Sequence, residues 1–235
     1  MTAMDTCLLT TGIPAANCDA AFARLRTYLA QYGFKERRYA SDEEFDAYRH
    51  SLAECEARWQ AFLESGMTTD VTESMQEPYQ WLRAAGDIDI EGRLHLVDLF
   101  VHPTGPREAA LSVLFDASIW DALHSDRDYV DKIIDDAVKK DFVAFLLLAV
   151  ESFAPAAFGL KRLDDVPDLT RPPTSADVVE WLVAPTFDVI RRWNFQLAGV
   201  RHETVQRREV EAKRWSGRLF ETSSGYLVLD LIDVA

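Results

Sequence analysis

The chain has 235 residues, of which 48% are hydrophobic and 27% charged, with 10 glycines and 9 prolines. This composition is typical of a folded globular protein and excludes disordered and collagen-like classes. Lysine and arginine number 25 against 39 aspartates and glutamates, which gives a formal net charge of −14 at pH 7. A surface this negative repels phosphate backbones and anionic membranes, so we expect neither nucleic acid nor a membrane as a partner.

The cysteines and the apolar segments indicate the compartment in which the protein works. Cysteines occur at positions 7, 18 and 55 without a C-x-x-C pair, which indicates neither a disulfide framework nor a thiolate zinc site. The N-terminus has no basic leader of the kind found in signal peptides. The most apolar stretch, residues 142–160, is interrupted by Glu151 and Pro155 and does not make a clean membrane span. We therefore expect a cytoplasmic protein.

Apolar periodicity predicts two helices near the start of the chain. Apolar residues at steps of three and four predict a helix over 19–32, and a short strand is predicted over 34–39. Ser41 and Glu44 form a capping box ahead of a second helix over 45–62. The apolar seam of that helix consists of Phe45, Tyr48, Leu52, Cys55, Trp59 and Phe62. We interpret the seam as packing within this chain's core, with self-association through the Trp59 face as the alternative.

The middle of the chain predicts a β-hairpin followed by helices. Ile88 and Ile90 alternate with acidic residues, and Glu91 with Gly92 is typical of a two-residue hairpin turn. A further strand is predicted over 109–115. Predicted helices follow over 116–124, 126–138 and 142–153.

The C-terminal third begins after a proline-rich connector. Prolines at 167, 172 and 173 indicate a weak lobe boundary near 163–174 within a single domain over 1–235. Ser175 is the predicted cap of a helix that ends at Val183. The remaining predicted elements are a strand over 193–197 and a closing hairpin of 218–222 with 226–232. Residues 202–215 fit either a helix or a strand, and we favour the helix. Together these elements predict an α+β fold, with a mainly antiparallel sheet built from hairpins and several packed amphipathic helices; a doubly wound nucleotide-binding fold is the alternative.

The glycine spacing excludes the common nucleotide-binding and hydrolase motifs. No two of the 10 glycines lie closer than six positions. The dinucleotide fingerprint, the P-loop and the nucleophile elbow each need glycines two to five positions apart, so none of them is present. The zinc motif H-E-x-x-H is also missing from the sequence. We therefore predict no cofactor.

Histidines near the predicted hairpin raise the question of a metal site. His95, Asp98 and His102 fall within eight residues and are all metal-ligating types. On an extended strand, however, His95 points to one face while Asp98 and His102 point to the other. The three side chains therefore cannot surround one ion, and we predict histidines at a strand surface instead.

The segment 87–98 resembles the calcium loop of EF-hand proteins, since Asp87, Asp89 and Glu91 alternate and Gly92 follows at the bend. The resemblance covers those twelve residues. It departs from the loop by carrying Glu91 at the fifth position, by having Asp98 where a bidentate glutamate belongs, and by having isoleucines between the acids. Because those isoleucines alternate as in a strand, we predict no metal ion and expect the carboxylates on the solvent face of a hairpin.

The best local grouping for acid–base catalysis is Asp121, His124 and Asp126, because a carboxylate can orient an imidazole for proton transfer. No nucleophile or oxyanion donor accompanies these residues in the sequence. An enzyme with dispersed catalytic residues, centred on Asp121 and His124, is therefore an alternative hypothesis.

The uneven distribution of charge supports the leading hypothesis. Residues 41–91 hold 13 acids and 3 bases, whereas residues 171–235 hold nine of each. The chain is similar, at the level of class only, to bacterial immunity proteins, which are small and acidic and neutralise toxins. We expect an acidic, cytoplasmic protein-binding protein that blocks a basic partner such as a toxin. The plainer interpretation of the charges is that they keep the surface solvated. A homo-oligomer is a further possibility. The predicted binding residues are Glu43, Glu56, Glu64, Asp87, Asp89 and Glu91.

Overall fold

A computed structural model gives the fold, and it describes residues 4–31, 33–36, 57, 83–105, 107–116, 119, 124–125, 133–134, 136–162 and 173–232. The strands of this part of the chain are β1 Met4–Thr11, β2 Ile13–Pro14, β3 Lys35–Glu36, β4 Arg83–Ile90, β5 Arg93–Gly105, β6 Glu108–Asp116, β7 His124–Ser125, β8 Ile133–Ile134, β9 Ala157–Arg162, β10 Phe195–Arg201, β11 Arg218–Glu221 and β12 Tyr226–Asp230. The α-helices are α1 Cys18–Gln31, α2 Asp136–Phe153, α3 Ser175–Val183, α4 Phe187–Trp193 and α5 Arg207–Glu211.

One continuous antiparallel sheet organises the described residues. Its strand order is β11-β12-β10-β9-β1-β6-β5-β4-β3, and the short strand β2 pairs with β6 beside this path. The predicted α+β class, with a mainly antiparallel sheet and packed helices, is therefore confirmed. Strands β9 and β10 are neighbours in the sheet although the proline-rich connector near 163–174 separates them in the sequence. Residues 163–172 lie outside the described residues, so the single domain and its weak lobe boundary stay predictions.

Helices cover both faces of the sheet. Helices α1 and α2 pack on one face, where Phe115 of the sheet contacts Phe142 and Phe145 of α2 edge to face at 5.1 and 5.7 Å between ring centroids. Helices α3, α4 and α5 contribute to a second core on the other face, around Trp181 and Phe195. The side chains of a strand alternate between the two faces of the sheet, and here helices cover both faces. The side chains on both faces of the central strands are therefore buried, and their sequences are nearly continuous apolar runs.

The two predicted hairpins are confirmed. Glu91 and Gly92 connect β4 to β5 with φ of 48° and 77°, and Ile90 pairs with Arg93 across the turn. Two positive φ values in a two-residue loop are the geometry that matches the twist of the flanking strands. At the end of the chain, β11 and β12 flank a turn in which Gly225 has a φ of 84°.

The predicted helix over 126–138 is wrong. Ile133 and Ile134 form β8, which pairs with β7, and the helix begins only at Asp136 and continues to Phe153. Two adjacent β-branched residues favour an extended backbone, and the pairing partner at 124–125 is a contact that helical periodicity cannot reveal. The predicted helix over 116–124 cannot have these bounds either, because its first residue ends β6 and its last lies in β7.

Several C-terminal boundaries also differ from the prediction. The cap of α3 is Thr174 and not Ser175, since the Thr174 hydroxyl accepts from the backbone N–H of Asp177 at 3.2 Å. Trp193 ends α4, so the strand predicted over 193–197 begins only at Phe195. The helix predicted over 202–215 is confined to α5.

The helix predicted over 45–62 lies outside the described residues except for Ala57, which is helical. The interpretation of its apolar seam, including Trp59, therefore stays a prediction. The helix predicted over 19–32 is confirmed as α1. Within the described part of the chain, no helix combines the length and the apolarity needed to cross a membrane.

Candidate functional site

The turn between β4 and β5 presents three of the predicted binding residues. Asp89 and Glu91 are exposed and Asp87 is partly exposed. The backbone N–H of Gly92 donates to Oδ1 of Asp89 at 2.8 Å, which fixes the carboxylate relative to the turn. None of the three carboxylates forms an ion pair with another described residue. Their charges are therefore offered to solvent on a well-defined backbone.

These residues lie at one end of the strand order. Among the described strands, β4 is the last long one at this edge, and the short strand β3 pairs with it on its outer side. Residues 37–82 separate β3 from β4 in the sequence and hold most of the acids counted in 41–91, but apart from Ala57 they lie outside the described residues. Glu43, Glu56 and Glu64 lie outside the described residues, so their part in a binding face stays a prediction.

The opposite edge of the sheet is built from a neutral segment. Strands β10, β11 and β12 all belong to residues 171–235, which hold nine acids and nine bases. Strands β3 and β4 with the β4–β5 turn hold four acids and two bases, whereas β10, β11 and β12 hold two of each, so the described sheet has more negative charge at one edge than at the other. We name the region of β3, β4 and the β4–β5 turn the acidic edge, and the region of β10, β11 and β12 the neutral edge.

An exposed apolar side chain accompanies the acids. Leu94 is 60% exposed and lies directly opposite Asp89 in the β4–β5 register. Side chains opposite each other on an antiparallel pair have their Cβ atoms only about 5 Å apart. The turn therefore places an exposed apolar side chain beside a carboxylate, and protein interfaces commonly combine an apolar centre with a polar rim.

The prediction that the histidines near the hairpin lie at a strand surface is wrong for His95, because the face of β5 that carries it packs into the core. His95 is buried and shares a face of β5 with Val97 and Leu99 in the main core, whereas Phe100 belongs to a cluster on the other face. Burial lowers the pKa of His95, an effect that the nearby Asp116 carboxylate opposes. Within the ranges that the structure describes, no group of three or more His, Cys, Asp or Glu side chains is arranged to hold a metal ion.

The residues of the catalytic alternative are not brought into a described site. His124 lies in β7 and its backbone pairs with Ile134. Asp121 and Asp126 lie outside the described residues. The hypothesis of an enzyme centred on Asp121 and His124 therefore stays a prediction.

Sequence reasoning missed a cavity at the neutral edge of the sheet. It has a volume of about 450 Å³ and lies between α2 and the strands β11 and β12. Nζ of Lys139 forms an ion pair with Oδ2 of Asp230 at 3.1 Å at its wall. The backbone N–H of Ile232 donates to the other carboxylate oxygen at 3.0 Å. These partners are distant in sequence, so no local motif could reveal the cavity. The one local feature that pointed to a polar site there is the polar start of the otherwise apolar helix α2.

No protein-family model, curated protein or solved structure matches this chain.

Proposed function

We propose that the protein is an acidic, cytoplasmic protein-binding protein, of the inhibitor or immunity type, whose acidic edge docks on a basic partner such as a toxin. The observation that carries this proposal is the β4–β5 turn, on which Asp87, Asp89 and Glu91 are free of ion pairs among the described residues and Asp89 lies opposite the exposed Leu94. Unneutralised carboxylates attract a basic surface at a distance, and an apolar neighbour supplies area to bury on contact.

The physical role of the charges is to accelerate the encounter. Complementary potentials raise the association rate of proteins and fix their relative orientation, and they change the dissociation rate less. The turn adds a second advantage, because its backbone is already held by the strand register and by the Asp89 side chain. A surface that is ordered before binding loses little conformational entropy on binding.

The experiment compares two sets of amide substitutions that remove equal charge. The test variant carries Asp87→Asn, Asp89→Asn and Glu91→Gln, which keep the shape of each side chain and the acceptor oxygen used by Gly92. The control variant carries Glu180→Gln, Asp188→Asn and Glu203→Gln, all exposed positions of the C-terminal segment.

The partner is purified by capture on the immobilised wild-type protein with elution by increasing salt, and its binding kinetics are then measured. At low ionic strength the test variant should associate roughly tenfold more slowly than wild type, while the control stays close to wild type. The difference should vanish at ~1 M salt, where the Debye length falls to ~3 Å. Charge reversal at Glu43, Glu56 and Glu64 extends the test to the predicted residues outside the described ranges. Equal association rates for wild type, test and control would contradict docking through the acidic edge and would indicate that these acids only keep the surface solvated.

A further inference from the structure

The cavity at the neutral edge has one apolar wall. Helix α2 presents Lys140, Val143 and Leu147 to it at successive turns, and Phe220 of β11 faces them. Val143, Leu147 and Phe220 are partly buried against the main core. The volume of about 450 Å³ lies within the range of roughly 300–1,000 Å³ that small-molecule sites occupy. The cavity is therefore large enough for a small ligand with an apolar body.

The charges that line the cavity leave an excess of positive charge at its rim. Lys139 is neutralised by Asp230, so the charges that remain are Lys140, Arg218 and the carboxylate of Asp136. Lys140 and Arg218 are exposed and form no ion pair with any residue that the structure describes. The lining thus holds three bases against two acids, in a chain whose acids outnumber its bases by 39 to 25.

The Arg218 side chain is positioned for an anion. Its guanidinium lies over the ring of Phe220, with Cζ 5.3 Å from the ring centroid. This contact restrains the side chain at the rim while its planar N–H donors stay accessible, and such a fork matches the two oxygens of a carboxylate. Phe220 therefore serves both as apolar wall and as support for the cationic group.

The field of the whole chain restricts the kind of anion that can bind. A net charge of −14 repels a polyanion, which would bring many negative charges to the surface at once. A small monoanion adds a single charge, and screening limits its repulsion by distant acids to about a Debye length, ~8 Å at physiological salt. One excess positive charge in the lining also matches one negative charge on the ligand.

We propose that this cavity binds a small monocarboxylate with a hydrocarbon body. Its carboxylate pairs with Arg218 and Lys140, and its hydrocarbon chain lies against Val143, Leu147 and Phe220. This site is separate from the acidic edge and does not depend on the proposed docking function.

Calorimetric titration of the full chain with decanoate tests the proposal. Decanoate should bind, whereas decanol and decyltrimethylammonium, which share its hydrocarbon chain, should bind at least tenfold more weakly. Butanoate keeps the carboxylate and removes six methylenes, so it should also lose at least tenfold in affinity, because it buries much less apolar surface. Decyl phosphate distinguishes the head groups, and binding tighter than that of decanoate would overturn the assignment of a carboxylate.

Substitutions locate the site. Arg218→Gln and Lys140→Gln should each weaken decanoate binding about tenfold, as expected for loss of a charge-assisted hydrogen bond. Arg208→Gln removes the same charge from an exposed position on α5 and should leave the affinity unchanged. Thermal melts of each variant establish that the fold is retained. Equal affinity in Arg218→Gln, Lys140→Gln and wild type, or no decanoate binding at millimolar concentration, would overturn the proposal.

Discussion

Substituting Gly159 by alanine should destabilise the protein by about 2–3 kcal/mol, because a ring occupies the space of the missing side chain. Gly159 lies in β9, and a Cβ atom there would overlap Cδ1, Cε1 and Cζ of Phe195, the last at 2.7 Å. These are three atoms of a rigid ring and not the end of a flexible side chain. The ring as a whole must move if the alanine is to fit.

The surroundings of Phe195 oppose that movement. Phe195 is 1% exposed, and its ring lies edge to face with Trp181 at 5.3 Å and stacked on Trp193 at 5.7 Å between centroids. Trp181 is itself buried and stacks on Trp215 at 4.7 Å. Overpacking a core costs roughly 1–3 kcal/mol, and a ring held on both sides places this substitution in the upper part of that range.

A double-mutant cycle in urea denaturation isolates the clash. Phe195→Leu shortens the side chain over Gly159, so the pair Gly159→Ala with Phe195→Leu should cost at least ~1 kcal/mol less than the sum of the single variants. Gly92→Ala is the control, because it strains a turn with φ of 77° and no atom lies within 4 Å of its new Cβ. Its cost should add to that of Phe195→Leu. Additive costs in the Gly159 cycle, or a Gly159→Ala variant as stable as wild type, would refute the reasoning.

Three further predictions concern buried polar groups. Tyr226→Phe should lower the free energy of unfolding by ~1–3 kcal/mol in thermal melts, because the Tyr226 hydroxyl donates to the carbonyl oxygen of Pro155 at 2.7 Å, and an unchanged melting temperature would contradict this. Lys139→Met should lower the free energy of unfolding by ~3–5 kcal/mol in urea titrations, because it leaves the Asp230 carboxylate, which is 5% exposed, without its cation. Asp230→Asn should lower it less, and the reverse order would contradict this prediction. Burial lowers the pKa of His95 from 6.5, so the unfolded chain binds a proton that the folded chain excludes as the pH falls below 6.5. Stability should therefore fall on acidification, and His95→Gln should lose less stability than wild type between about pH 7 and pH 5.

Local sequence patterns were sufficient to predict the elements that are determined by neighbouring residues. The β4–β5 hairpin follows from the alternation of Ile88 and Ile90 and from a turn that accepts positive φ at Glu91 and Gly92. Helix α1 follows from apolar periodicity alone, and the predicted bounds differ from the observed ones by one residue at each end.

The misses have non-local causes. Ile133 and Ile134 suit either a helix face or a strand, and pairing with β7 decides between them. The rim of the cavity depends on Lys140 and Arg218, which come together because β11 and β12 lie beside α2 in the folded chain. Charge counts show an excess of acids over 41–91 directly from the sequence, whereas a cavity assembled from two distant segments has no signature in either segment.

The strand order also separates the two proposed sites physically. Six strands lie between β4 at the acidic edge and β11 at the cavity. Exposed charges are screened within ~8 Å at physiological salt, so removing charge at the β4–β5 turn should leave decanoate affinity unchanged while slowing association with a basic partner. Arg218→Gln should have the opposite pattern, with weaker decanoate binding and unaltered association. The two variants assayed for both properties therefore distinguish two independent sites from one diffuse electrostatic effect, since a diffuse effect would move both properties in both variants.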